Sequence, residues 1–286
     1  FVLVHFGLLV AYISRGGELL ASALPSSLTA IAPLPPPAVF AALFGGLVFA
    51  SKGSDALEQA NNLFAGVVLG SFVALVALAI PSTEPSRLFA VADWSHVSDI
   101  APTLLLSLVY HNVVPTVCAQ LEGDRQKITL AIIAGSFVPF LMFEVWNGVI
   151  LAAAPLGVAG DPLDALRASG GSLLAAGVLA FSLSAIVTSF IGFVLALTDF
   201  FADALGSKGE EASPGAKLRD FGLTLLPPLT VACYDPSLFF QAIDKAGAFG
   251  VSTLFGLLPA WMALAQRAAE SPVLVQAPGF LGGYAR

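Results

Sequence analysis

The chain has 286 residues, 57% of them hydrophobic and 11% charged, with a mean hydropathy of +0.88 and a formal net charge of −7. Average soluble domains carry roughly 25% charged residues, so this composition lacks the polar surface that coats a water-facing globule. Such hydrophobicity excludes disorder, and the acidic balance argues against nucleic acid as a partner. What remains is an integral membrane protein with several spans.

A bilayer core of about 30 Å takes roughly 20 apolar residues as a helix, and backbone groups in lipid must bond internally. In chain order the apolar runs are 1–24, 38–51, 60–80, 100–120, 128–155, 171–200, 221–240 and 248–266. The second is short for a span, and Pro227-Pro228 interrupts the seventh. The alternation of an outer-membrane barrel is absent. The connectors carry turn chemistry, notably APLPPP at 32–37, PSTEPS at 81–86 and SKGEEASPGAK at 207–217. The chain opens within an apolar run, without the basic flank and cleavage site of a signal peptide, and is expected to be a fragment.

Orientation follows from the basic residues of alternate connectors. Those after the second, fourth, sixth and eighth runs hold Lys52, Arg125, Lys127, Lys208, Lys217, Arg219 and Arg267. The others hold Arg87, Arg167 and Lys245. The first group is placed on the cytosolic side.

In the first run, Arg15 and Glu18 stand at i and i+3 and can neutralise one another on one helix face; a gating or substrate role is the alternative. The fourth run reads IAPTLLLSLVYHNVVPTVCAQL. Pro115 lacks an N–H, and Tyr110, His111 and Asn112 bring polar groups to mid-membrane depth beside it. An interrupted helix of this kind presents unpaired backbone groups and points to a transporter site; an ordinary proline kink with a satisfied His111 is the bland reading. In the fifth run Glu144 has no basic neighbour, and a buried carboxyl tends to favour its protonated form. It is a candidate proton carrier, or a neutral acid bonded to Asn147 or another helix.

The sixth run carries Ser182, Ser184, Thr188 and Ser189. These hydroxyls could hold an ion, or simply let membrane helices approach closely. Asp199 and Asp203, four apart at the cytosolic end, read as a solvated rim. Cys118 and Cys233 form no metal spacing and no disulfide framework. His5, His96 and His111 are too scattered for a metal site, and the phosphate-loop, zinc-pair and nucleophile-elbow motifs are absent. No enzyme, metal or cofactor is expected.

Residues 109–152 resemble the tryptophan/tyrosine permease group of the aromatic amino acid permease family. The likeness rests on Tyr110-His111 followed by Pro115, the Glu122-Gly123-Asp124 turn, Arg125, Lys127, Gly135-Ser136, Pro139 and Trp146-Asn147. Looser matches are Tyr12-Ile13-Ser14 with Gly16-Gly17, then Thr188-Ser189-Phe190, Asp199-Phe200, Ala202-Asp203, Pro227-Pro228 and Ala246-Gly247. Arg15 beside the glycine pair departs from the family pattern.

The resemblance implies an all-α membrane protein with the inverted-repeat fold of the amino acid–polyamine–organocation superfamily, here a partial chain of about eight spans with a discontinuous helix. Residues 1–80 would be the last three helices of the first repeat, 100–266 the five of the second, and 267–286 a tail. The first two helices and the last would be missing. The implied function is secondary transport of an aromatic amino acid by proton symport and alternating access, in a bacterial inner membrane or a plastid envelope. A non-aromatic amino acid on the same fold is the alternative, followed by a receptor or channel-like subunit. Ser107, Tyr110, His111, Asn112 and Thr116 are the expected substrate wall, with Tyr12 and Ser14 facing it. His111 and Glu144 are the expected proton-coupling groups, and Thr188 and Ser189 an ion site or a packing pair.

Overall fold

The computed structural model describes residues 1–24, 34–52, 54–89, 94–95, 97–107, 110, 114–153, 171–207, 213–235, 241 and 245–268. Among them there is no strand. Helix α1 spans Val2–Ala23. Helix α2 spans Pro36–Ser51, opening with prolines in its first turn, where a missing N–H costs nothing, and holding one π-wound turn at Ala41–Gly45. Helix α3, Asp55–Ala79, carries Asp55 and Glu58 in its first turn, where acidic groups complement the helix dipole. Helices α4 (Val97–Ser107) and α5 (Val114–Gln120) follow. Helix α6 is Arg125–Ala153, α7 Gly171–Ala204 and α8 Pro214–Tyr234. Helix α9 is π-wound over Ala246–Leu257 and α-helical over Leu258–Ala268.

Each apolar run thus has a helical stretch in register with it. Five of these helices are long and apolar enough to cross a membrane: α1, α3, α6, α7 and α9. Helix α2 is 16 residues, ~24 Å at 1.5 Å per residue, short of the bilayer core. The run at 100–120 is divided between α4 and α5, with Tyr110 in neither. Pro227-Pro228, expected to interrupt the seventh run, lies inside a continuous α8. The missing N–H groups free the carbonyls of Leu223 and Thr224, which membrane-type helices tolerate where neighbours re-satisfy them; Pro228 itself is buried.

The chain divides into two units: Phe1–Trp94 with Val145–Ala246, and Ser95–Glu144 with Gly247–Arg286. In the first unit α7 is the central helix, packed on α1, α3 and α8, while α1 also packs on α2 and α8. Its main core joins Leu9, Ile13, Phe40, Val187, Phe190, Val194 and Leu197. A smaller cluster joins Leu75, Ala79, Leu174 and Val178, bordered by Trp146 and Phe181, whose rings stack at 5.9 Å. Between helices in lipid the hydrophobic effect gives little, and close van der Waals approach carries the association. Gly16 supplies it, since a Cβ there would lie 2.5 Å from the Phe40 ring.

The second unit contains a tight turn between α5 and α6. Glu122 and Gly123 adopt positive φ (52° and 77°), and the Gly123 N–H donates to the Cys118 carbonyl at 3.0 Å, closing α5 in the manner of a Schellman cap. Asp124 then caps α6, its Oδ1 accepting from the Gln126 and Lys127 amides at 3.0 and 3.1 Å.

Candidate functional site

The polar side chains of the first unit gather along the α1–α7 seam. Tyr12 on α1 lies 5.6 Å, ring to ring, from Phe193 on α7, and its hydroxyl lies beside the Ser189 side chain, one turn earlier on α7. The sequence reading gave Tyr12 to the substrate wall and Ser189 to a separate ion site or packing pair. Thr188 donates instead to the Ala185 carbonyl of its own helix at 3.0 Å.

Ser14 is fully buried and Ser182 is 8% exposed, and the hydroxyl of each has no hydrogen-bond partner. A serine inside a helix ordinarily back-bonds to a carbonyl three or four residues earlier. Ser71, Ser136 and Thr198 do so here. An orphaned buried hydroxyl costs about 1–3 kcal/mol, more than a rotamer change. Among the described residues of this unit, Ser14 and Ser182 carry buried hydroxyls left without a partner. His5, which the sequence reading set aside, is 1% exposed and has an unpartnered Nε2. Its signal in the sequence was an ionisable group inside an apolar run.

Arg15 and Glu18 pair at 3.0 Å, the internal neutralisation expected from their spacing. At the opposite end of the seam charged groups cluster. Lys52, just after α2, meets Asp199 of α7 at 2.7 Å. Arg219 reaches Asp220 at 2.8 Å, and Ser207 also bonds the Asp220 carboxylate. Phe1 and Phe200 touch at the same end, their centroids 5.0 Å apart. Lys52 and Arg219, both assigned to the cytosolic side by connector charge, thus share one end of the unit. Asp199 is a paired rim residue.

The remaining expected site residues belong to the second unit. Ser107 ends α4, is exposed, and donates to the Leu104 carbonyl at 2.8 Å. Tyr110 is 42% exposed and outside any helix, and Thr116 falls within α5. His111 and Asn112 lie outside the described residues. Glu144, expected to be buried, is exposed on α6, as is Asn147, because the span Arg125–Ala152 buries none of its apolar window. A shallow open groove of about 480 Å³ follows one face of α8 from Gly215 to Pro227 past Arg219, and none of the expected residues line it. Among the described residues no group of three metal-ligating side chains converges.

A helical chain with five helices long and apolar enough to cross a membrane among its described residues is consistent with an all-α membrane protein. The model of the tryptophan/tyrosine permease family matches residues 1–279. The chain belongs to that family. Among its relatives are tyrosine-specific transport system 1 of Haemophilus influenzae, 25% identical over 86% of this chain and 63% of the relative. Tyrosine-specific transport system 2 of the same organism is 29% identical over 85% and 62%. The tryptophan-specific transport protein of Pseudomonas aeruginosa is 26% identical over 92% and 66%. The chain spans under two thirds of the length of each. No solved structure matches it. As a member of a permease family with several apolar helices, it is a multi-pass membrane protein.

Proposed function

We propose that this permease-family chain carries out secondary transport of an aromatic amino acid, tryptophan or tyrosine, coupled to protons and proceeding by alternating access. The family match over 1–279 carries this reading, and the relatives' names, tyrosine-specific and tryptophan-specific, supply the substrate class. The divided run supports it, since helix ends near mid-membrane leave N–H and C=O groups for a zwitterionic substrate. Ser107, Tyr110, His111, Asn112 and Thr116 are the proposed contacts on that run, and Tyr12 and Ser14 those on α1. Thr188 and Ser189 are proposed as an ion site or a helix-packing pair. His111 and Glu144 are proposed proton carriers, His111 because imidazole titrates near neutrality. The bacterial relatives favour an inner membrane over a plastid envelope.

The test is uptake of labelled tryptophan and tyrosine into proteoliposomes under an imposed inward-acid gradient. Concentrative uptake is expected. A passive pore would equilibrate its solute without accumulating it, and a receptor would move none.

A further inference from the structure

His5 stands on α1 seven residues before Tyr12, two helical turns along the same face. Its ring meets Phe1 at 3.8 Å and the edge of Phe193 at 5.1 Å, and Phe193 in turn meets Tyr12 at 5.6 Å. His5 is 1% exposed. Its Nδ1 lies 3.1 Å from the Phe1 carbonyl oxygen. A carbonyl oxygen only accepts, so Nδ1 carries the ring hydrogen and Nε2 is left as the basic nitrogen. That nitrogen is buried with no hydrogen-bond partner. Orphaned buried acceptors are rare enough that each asks for an explanation.

We propose that His5 Nε2 is a proton-binding site which biases how α1 packs on α7. The proposal rests on the transport reading above. One proton from water on the acidic side forms an Nε2–H bond, and the ring becomes imidazolium. Nothing else breaks, and the same proton returns to water on the other side. In the packing described here the new donor would be buried with no hydrogen-bond partner. Protonation therefore disfavours this arrangement and favours one in which Nε2 meets water or an oxygen. A ligand, here a proton, shifts an equilibrium by its differential affinity for the two states. Phe193, wedged between His5 and Tyr12, passes the shift to the Tyr12–Ser189 pair.

The charged groups on the elements around α1 are committed elsewhere. Lys52 after α2 pairs with Asp199 of α7, and Arg219 of α8 pairs with Asp220. Asp203 on α7 and Lys217 on α8 lie toward that same end in sequence, beyond Phe200 and before Arg219. On α1 itself Arg15 pairs with Glu18.

The test uses the wild-type chain and two variants. His5→Asn keeps a donor where Nδ1 stands and removes the basic nitrogen; His5→Gln places its amide near Nε2. In proteoliposomes the ratio of gradient-driven tryptophan accumulation to tryptophan exchange at zero gradient is expected to fall about tenfold in both, within the ordinary range of coupling free energies. An unchanged ratio in either variant overturns the proposal. Nitrogen NMR of the wild-type histidines in lipid, with His5 assigned through its backbone connectivity, is expected to show the Nδ1–H form and protonation of Nε2 on acidification. A ring with its hydrogen on Nε2, or one that never titrates, overturns it even where the variants fail to fold. Wild type that neither exchanges nor accumulates tryptophan contradicts the transport reading, and the NMR titration still decides the proton site.

Discussion

A methyl group on Gly17 would lie 2.5 Å from the backbone nitrogen of Pro37. Helices α1 and α2 approach there without a side chain between them, and the obstacle is main chain that no rotamer change can clear. Gly16 meets a side chain instead, the Phe40 ring, but that ring is fully buried and held by Phe44 at 4.8 Å and Phe190 at 5.3 Å. Gly17→Ala is expected to destabilise the chain by about 1–3 kcal/mol or more through overpacking, and Gly16→Ala by the lower end of that range. Thermal unfolding midpoints in a mild detergent check the order. Equal midpoints for wild type and Gly17→Ala would show that α2 is not seated on α1.

The carboxylate cluster gives a pH dependence with a definite sign. Burial alone would raise the Asp220 carboxyl, but hydrogen bonds from Ser207 and Arg219 and the positive charges of Arg219 and Lys52 hold it below the ordinary value of 3.8. A depressed folded-state value adds stability above the unfolded value, and that stability is lost as pH falls through the folded one. Unfolding midpoints should therefore be flat near neutrality and fall below about pH 4. Asp220→Asn is expected to flatten this acid limb and cost about 1–3 kcal/mol, since it disturbs a buried, charge-assisted network. Asp199→Asn, at an ion pair 36% and 61% exposed, should cost no more than ~1 kcal/mol and lose its effect in high salt.

Much of this architecture was legible in the sequence because membrane helices declare themselves by length and hydropathy alone. The apolar runs coincide with helical stretches, five of them long and apolar enough to cross a membrane, and the spacing of Arg15 and Glu18 gave their ion pair. The division of 97–120 was marked by Pro115 and its polar neighbours. Other features were hidden because they depend on contacts distant in sequence. Nothing local says that Lys52 meets Asp199, that Ser207 closes on Asp220, or that Tyr12 lies beside Ser189. The exposure of Glu144 was illegible too, since an apolar helix reads the same whether it faces protein or lipid.

The proximity of the Tyr12 hydroxyl to Ser189 predicts non-additive variants. Ser189→Ala leaves the Tyr12 hydroxyl without this partner and should weaken the seam by about 0.5–1.5 kcal/mol. Tyr12→Phe removes the other half of the pair. Because both singles delete one interaction, the double variant should lose less than the two losses combined. The readout is the half-saturating tryptophan concentration for uptake together with the unfolding midpoint. Strict additivity in both would show that the two side chains act independently.

Equilibrium binding to the purified protein in lipid nanodiscs tests the aromatic-carrier reading most directly. Labelled tryptophan is the probe, and tyrosine, phenylalanine, leucine, lysine and glycine are the competitors. Saturable binding displaced by the aromatic amino acids alone is the expected result. Displacement by leucine as readily as by tyrosine, or no saturable binding at all, would contradict it.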